Sequence, residues 1–414
     1  MEGKHYLRGM DWVAAGLSAS CAGTPGGGND FLLSLDFDSP VVPEELREVL
    51  SVLPEPVLRL LNGRTGRCWN LAPCWRPGDV RLPELLVVPA GSDPDYETRR
   101  FADTPMRSQL ALLLVPGEAT SRLVVKFGHR LFDGGGAELF LRDLFAGRVE
   151  APSLRSSGLE RWRARMAAGR RVNRALIALS RTPCCRTEFS GAAGAGALFA
   201  ERRLPLAMVQ RLAMEHCGPF MAGTMVAALV ARAFDWWRRK HYPGNEAVLM
   251  PMSVDRRIAD RGGTFFNHWS CLPLLWQPGE TVPPRQWWID AARKEIAAAM
   301  ESGLPDDFAE VNDLMRILPE RMMGKLALSG FGGGAGSLMF SFLSRSSLPE
   351  RWGKHRIVGA RHWPLMPPRP GAGIFCNAFG ETLNVVLSCR EGWSDGAGRE
   401  ELLRRIENEL LWRD

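Results

Sequence analysis

Two short apolar runs, Leu110–Val115 and Arg122–Phe127, are separated by Pro116-Gly117-Glu118, and this pairing constrains the chain more than any other feature. Each run has strand length and strand composition, and the intervening residues supply a turn, so the segment is expected to form a β-hairpin. Directly after it comes His129-Arg130-Leu131-Phe132-Asp133-Gly134, then a glycine trio, Gly134–Gly136, and an apolar helical pattern from about Ala137 to Phe145. His129 therefore sits at a strand-to-helix junction, a place where scaffolds commonly present side chains to a cleft.

The remaining pattern repeats this alternation. Phe31–Phe37, Val248–Val254, Phe265–Trp276, Leu338–Leu343, Gly373–Phe379 and Leu383–Cys389 read as strands. Pro43–Leu53, Pro205–His216, Gly223–His241, Arg285–Glu301, Asp306–Leu318 and Gly398–Trp412 read as helices. Trp69–Pro94 reads as short strands joined by loops, while Gly23–Gly28, Gly191–Ala197 and Gly332–Gly336 read as loops. Strands mixed with helices in both halves predict an α/β (α+β) class. At 414 residues the chain exceeds one typical core, and two units of roughly 150–200 residues are expected. A change of composition at Ala151–Ala200, with arginines crowded into Arg155–Arg186, places the boundary. The expected division is 1–150, a basic linker or crossover over 151–200, and 201–414.

Charge and cysteine usage exclude several classes. The net charge of +6 and pI near 9.0 are mildly basic, but no aromatic-basic nucleic-acid motif accompanies them, so nucleic acid is not an expected partner. The nine cysteines lack metal-ligand spacing. They predict reduced thiols in a cytoplasmic protein, with no metal site. No stretch reaches the length of a membrane span. The Leu159-x-x-Trp162-x-x-x-Met166 spacing beside many arginines suits a helix covering the domain joint, and it is also compatible with peripheral membrane contact or an acidic carrier.

Two short patterns mislead. Gly392-Trp393-Ser394-Asp395-Gly396 has the form of a nucleophile elbow, but such a serine is followed in the chain by its histidine, and the last histidine here is His362. The Gly332–Gly336 run lacks the Lys-Ser/Thr ending of a phosphate loop. His129 is a better candidate, because an imidazole with a pKa of about 6.5 can accept a proton near neutral pH. Asp133 is readable either as its orienting partner or as a carboxylate held by an arginine to brace the loop.

The His129-x-x-x-Asp133-Gly134 segment resembles the active-site signature of the CoA-dependent acyltransferase superfamily. That group includes peptide-synthetase condensation domains, BAHD enzymes, chloramphenicol acetyltransferase, alcohol acetyltransferases and wax ester synthases. Further matches are Pro43–Arg59, Pro251-Met252-Ser253-Val254-Asp255-Arg256-Arg257, Gly263-Thr264-Phe265-Phe266-Asn267 and Gly380–Ser388. The chain departs from condensation domains at Gly128, where they carry a second histidine, and from BAHD enzymes at Trp352-Gly353-Lys354, which resembles only the end of their late motif.

The resemblance implies two chloramphenicol-acetyltransferase-like layered domains with an active-site tunnel between them. It implies His129 as general base, and Asp133, Gly134 and Arg257 as a brace, with Asp133 paired to Arg257. Asn267 and Gly135 become tunnel or oxyanion candidates. His268 either lines the tunnel or points away from it. The resemblance further implies no tightly bound cofactor. The co-substrate would be acyl-CoA or a phosphopantetheine-linked acyl donor on a carrier protein, and the acceptor a hydroxyl or amine. The competing expectation is a catalytically degenerate condensation-like protein that binds an acyl carrier or acyl chain.

Overall fold

A computed structural model of the chain describes residues 4–21, 29–68, 71–155, 162–185, 196–242, 244, 246–257, 263–329 and 336–413. The expected loops at 23–28, 191–195 and 332–335, together with Trp69 and Leu159, lie outside the described residues.

The chain opens with strand β1 (His5–Tyr6) and helix α1 (Gly9–Cys21), followed by β2 (Phe31–Phe37), α2 (Pro43–Ser51) and α3 (Glu55–Leu61). Strands β3 (Arg64–Arg67), β4 (Pro73–Arg76) and β5 (Glu84–Val87) precede α4 (Pro94–Asp103). The hairpin of β6 (Leu110–Pro116) and β7 (Ser121–Phe127) feeds α5 (Gly134–Phe145). After α6 (Trp162–Ser180) come β8 (Ala197–Pro205), α7 (Leu206–His216) and α8 (Ala222–His241). Strands β9 (Val248–Asp255) and β10 (Trp269–Trp276) lead into α9 (Arg285–Glu301), α10 (Leu304–Met315) and α11 (Glu320–Ser329). The last elements are β11 (Met339–Leu343), β12 (Arg351–Trp352), β13 (His355–Pro364), β14 (Ala372–Phe379), β15 (Thr382–Arg390) and α12 (Gly396–Leu410).

Two six-stranded sheets organise the molecule, in the orders β12-β13-β2-β7-β6-β5 and β10-β9-β11-β14-β15-β8. The class is mixed α/β, as expected. The expected division at 150 and 200 does not follow the sheets throughout, because β12 and β13 come from residues 351–364 yet extend the first sheet beside β2. β13 also binds the second sheet. Asn377 and Asn384 donate through Nδ2 to the carbonyl oxygen of Ala360 at 2.8 and 3.0 Å. Leu32, Val124 and Trp363 pack with Ala197 and Val386 in an apolar cluster that joins the two sheets. Buried backbone groups need partners, so the returning strand closes the edge of one sheet and ties it to the other.

Around the hairpin the local folding is dictated by aromatic packing. Phe132 stacks edge-on against Phe127 (5.1 Å) and Phe140 (5.3 Å), and lies 5.4 Å from Phe265. This cluster pins the 128–133 turn between hairpin, helix and the 265–267 segment. Phe265–Asn267, expected to belong to a strand, instead forms an irregular approach to β10 in which Phe266 has φ +70°. A left-handed φ in a bulky residue costs on the order of 1–3 kcal/mol. It is held here by the Phe266 N–H donating to Leu131 O at 2.5 Å.

Among the described residues no helix is long and apolar enough to cross a membrane. Helix α6, within the expected linker, anchors on α10 through Arg165 (to Glu310 at 3.3 Å and Asp313 at 2.9 Å) and Arg171 (to Asp307).

Candidate active site

A cavity of about 200 Å³ opens between the two sheets. The first sheet and its following helix contribute Phe31, His129, Asp133, Gly134, Gly135 and His362, while Ser253, Arg257, Trp269, Ser341 and Phe375 come from the other. His129 keeps part of its surface open to this space. Its ring meets Phe31 edge-on at 5.4 Å and lies 6.2 Å from Trp269. Nδ1 is buried and has no hydrogen-bond partner, leaving Nε2 as the nitrogen able to meet a substrate. Burial pushes the imidazole below its ordinary pKa; Asp133, the residue's own carbonyl, Asn267 and Asp30 act in the opposite direction. Desolvation disfavours the charged ring, so the neutral form persists to lower pH than in water.

Asp133 does not touch the imidazole through any hydrogen bond described. Its Oδ1 caps α5 by accepting from Gly136 N at 2.8 Å and also receives Arg257 Nη2. Its Oδ2 accepts from His268 N at 2.7 Å. Arg257 in turn donates to Gly263 O at 2.9 Å and to Asp255 Oδ1 at 3.0 Å. The start of α5 and two residues distant in sequence, Arg257 and His268, thus converge on one carboxylate. The glycines are required by this crowding: a Cβ on Gly136 would stand 2.6 Å from Thr264 O, and one on Gly135 would stand 3.0 Å from Arg257 Nη1. At Gly128, Gln109 Oε1 occupies the space 2.1 Å from where a Cβ would be.

Asn267 lies behind His129 rather than on the cavity wall. Its Nδ2 donates to His129 O at 3.0 Å, and its Oδ1 accepts from Trp269 Nε1 at 3.1 Å. His268 turns its Nε2 toward Phe265 O at 3.2 Å and is likewise absent from the lining. Ser394 sits in the turn before α12, where its carbonyl accepts from Arg399, and it does not reach the cavity.

Sequence reasoning missed His362 and Glu138. His362 lies on the unanticipated strand β13, with Nε2 2.8 Å from Glu138 Oε1. Glu138 Oε2 accepts from Ser347 N at 2.7 Å and Ser346 Oγ at 3.0 Å. Only the rarity of a carboxylate on the apolar α5 pattern could have drawn attention to Glu138, since buried Glu is almost always paired.

The two six-stranded sheets with their helices form the two-lobed fold of condensation domains and CoA-dependent acyltransferases. The trichothecene 15-O-acetyltransferase of Fusarium sporotrichioides matches with a TM-score of 0.71 at 12% identity, over 99% of this chain and 95% of that one. The first condensation domain of the calcium-dependent antibiotic synthetase gives 0.69 at 17% identity, over 99% and 96%. The epimerization domain from the third module of tyrocidine synthetase B gives 0.63 at 11% identity, over 100% and 96%. No family model matches the sequence, and no curated protein matches it.

Proposed function

We propose that this protein is an acyltransferase, moving an acyl group from a CoA or carrier-protein thioester to a hydroxyl or amine acceptor. The observation that carries the reading is the placement of His129, its imidazole pKa pushed down by burial, on the wall of a cavity lined from both sheets. The acceptor O–H or N–H gives its proton to Nε2 while its heteroatom attacks the thioester carbonyl. The tetrahedral oxyanion then collapses, the C–S bond breaks, and the thiolate takes the proton back from the imidazolium. General-base assistance of this kind contributes about 10²–10⁴ in rate.

Asp133 and Arg257 hold the turn that carries His129 and leave the proton transfer to the imidazole. The oxyanion is assigned to the start of α5, where the N–H groups of the first helical residues have no intrahelical acceptor. Gly136 N is already spent on Asp133, so Gly134 and Gly135 supply the donors. Asn267, with its amide spent on His129 O, supports the base instead. No covalent acyl-enzyme is needed.

The test is turnover of acetyl-CoA and longer acyl-CoAs with a panel of alcohols and amines. Wild type is expected to form acylated acceptor and free thiol. His129→Ala is expected to lose about 10²–10⁴ in kcat. Transfer by His129→Ala at the wild-type rate, or no transfer by wild type with any donor, overturns the reading.

A further inference from the structure

Helix α6 carries five arginines and no acidic residue. Its inner side is set by Arg165, Ala168 and Val172, which are buried where the helix packs on α10. Arg165 and Arg171 pair there with Glu310, Asp313 and Asp307 of α10. The outer side is built differently. Residues four and seven apart fall on one side of a helix, and Arg163, Arg170, Arg174 and Arg181 follow that spacing, all of them exposed. None of the four is in an ion pair among the described residues. Beside them Trp162, Met166 and Ile177 form a second row, 58%, 50% and 42% exposed. Two parallel rows, one cationic and one apolar, thus run along a helix about 28 Å long.

We infer that the outer side of α6 is a docking surface for an anionic lipid bilayer: its arginines meet lipid phosphates while Trp162, Met166 and Ile177 enter the headgroup layer. Charge complementarity calls for an anionic partner, and the apolar row decides its kind. The apolar anchors of a protein interface cluster near its centre in well-packed pockets. Here Trp162 and Ile177 lie about 22 Å apart along the axis, strung out beside the arginines, which is how a helix lies in the plane of a membrane interface. A tryptophan ring, apolar with one polar edge, suits the headgroup level. Arginines reach phosphate while their stems cover apolar surface. The face is already outermost, so α6 engages a bilayer without leaving α10. The inference stands apart from the acyltransferase reading, because vesicle binding is measured without turnover.

Flotation of the full chain with vesicles tests this at about 0.1 M salt, where screening sets in over about 10 Å. Wild type is expected to float with vesicles of phosphatidylcholine mixed with phosphatidylglycerol, and not with phosphatidylcholine alone. An arginine at an anionic surface contributes about fivefold in partitioning. The variant Arg163→Gln/Arg170→Gln/Arg174→Gln is therefore expected to bind about 10²-fold more weakly. A control, Arg47→Gln/Arg81→Gln/Arg148→Gln, loses the same charge at exposed positions elsewhere and is expected to stay within about threefold of wild type. Trp162→Ala/Ile177→Ala, with its charge unchanged, is expected to lose about tenfold. Equal losses in the two arginine variants, or wild-type binding by Trp162→Ala/Ile177→Ala, overturn the inference. Wild type alone also judges it: no flotation with the anionic vesicles, or flotation undiminished at about 0.5 M salt, overturns it. Tighter binding to polyglutamate than to these vesicles, at equal concentration of negative charge, overturns it in favour of an acidic protein partner.

Discussion

Asn267 Nδ2 donates to the carbonyl oxygen of His129 at 3.0 Å, joining residues 138 positions apart and fixing the backbone of the candidate base from the opposite half of the chain. The backbone N–H of Asn267 is held in turn by Asp11 Oδ1 at 2.7 Å. His129 is therefore placed by tertiary contacts at its own main chain.

Asn267→Ala should leave a buried carbonyl without its partner, at a cost of about 1–3 kcal/mol. It should also lower kcat by up to about 10², the penalty for a base displaced by roughly 1 Å. Thermal unfolding and steady-state kinetics on the same preparation check both. A full loss of stability margin with unchanged kcat would assign Asn267 to folding alone.

Burial lowers the pKa of His129, so the acid limb of the kcat/KM profile should have its midpoint below the ordinary histidine value of about 6.5. A midpoint above that value would mean that a different group governs the rate.

The same shift acts on stability. His5, His129 and His268 are all held below their ordinary pKa, chiefly by burial. As pH falls through about 6.5, the unfolded chain binds protons that the native state refuses, so native stability declines. Denaturant titrations at about pH 7.5 and about pH 5.5 should show this loss, and His129→Gln should reduce it.

Asp133→Ala removes one partner of a buried ion pair and the cap of α5 together. Arg257 keeps Asp255 and Gly263 O as partners, so a loss of about 1–3 kcal/mol is expected from the charge-assisted bond and the cap. Arg257→Ala should cost a similar amount, and the double variant should cost less than the two singles combined. Additive losses in unfolding experiments would dissolve the pairing.

The glycines of the turn should differ. Gly136→Ala drives a methyl toward Thr264 O at 2.6 Å, and overpacking of this kind costs about 1–3 kcal/mol. Gly134→Ala meets only His362, at ordinary contact distance, and should fold with near-normal stability. Calorimetry of the two variants makes the comparison.

How much of this was legible beforehand varied with the range of the interaction. Strand β2 and helix α9 match their expected bounds, because period and punctuation are local. Helix α1 escaped: Gly9–Cys21 is buried on nearly every side, so it shows no polar face to mark its period. Its Gly16 lies against Gly324 of α11, where a Cβ would meet Gly324 N at 2.6 Å. Strand β13 escaped for a related reason. His355–Pro364 carries Arg361 and His362 in its interior, polar groups that read as loop until Asp36 and Glu138 pair with them.

The sequence by itself determined the hairpin, the histidine after it and the glycine-led helix, since apolar period, turn residues and helix start are encoded within a few neighbours. Only the tertiary structure decided what surrounds that histidine. Asn267 on its carbonyl and His362 across Phe31 come from segments more than a hundred residues away, as does Arg257 on Asp133, a pair that the resemblance implied and no local pattern did. Contacts of that range depend on how two sheets pack and on a strand that returns from one to the other, and no local pattern records them.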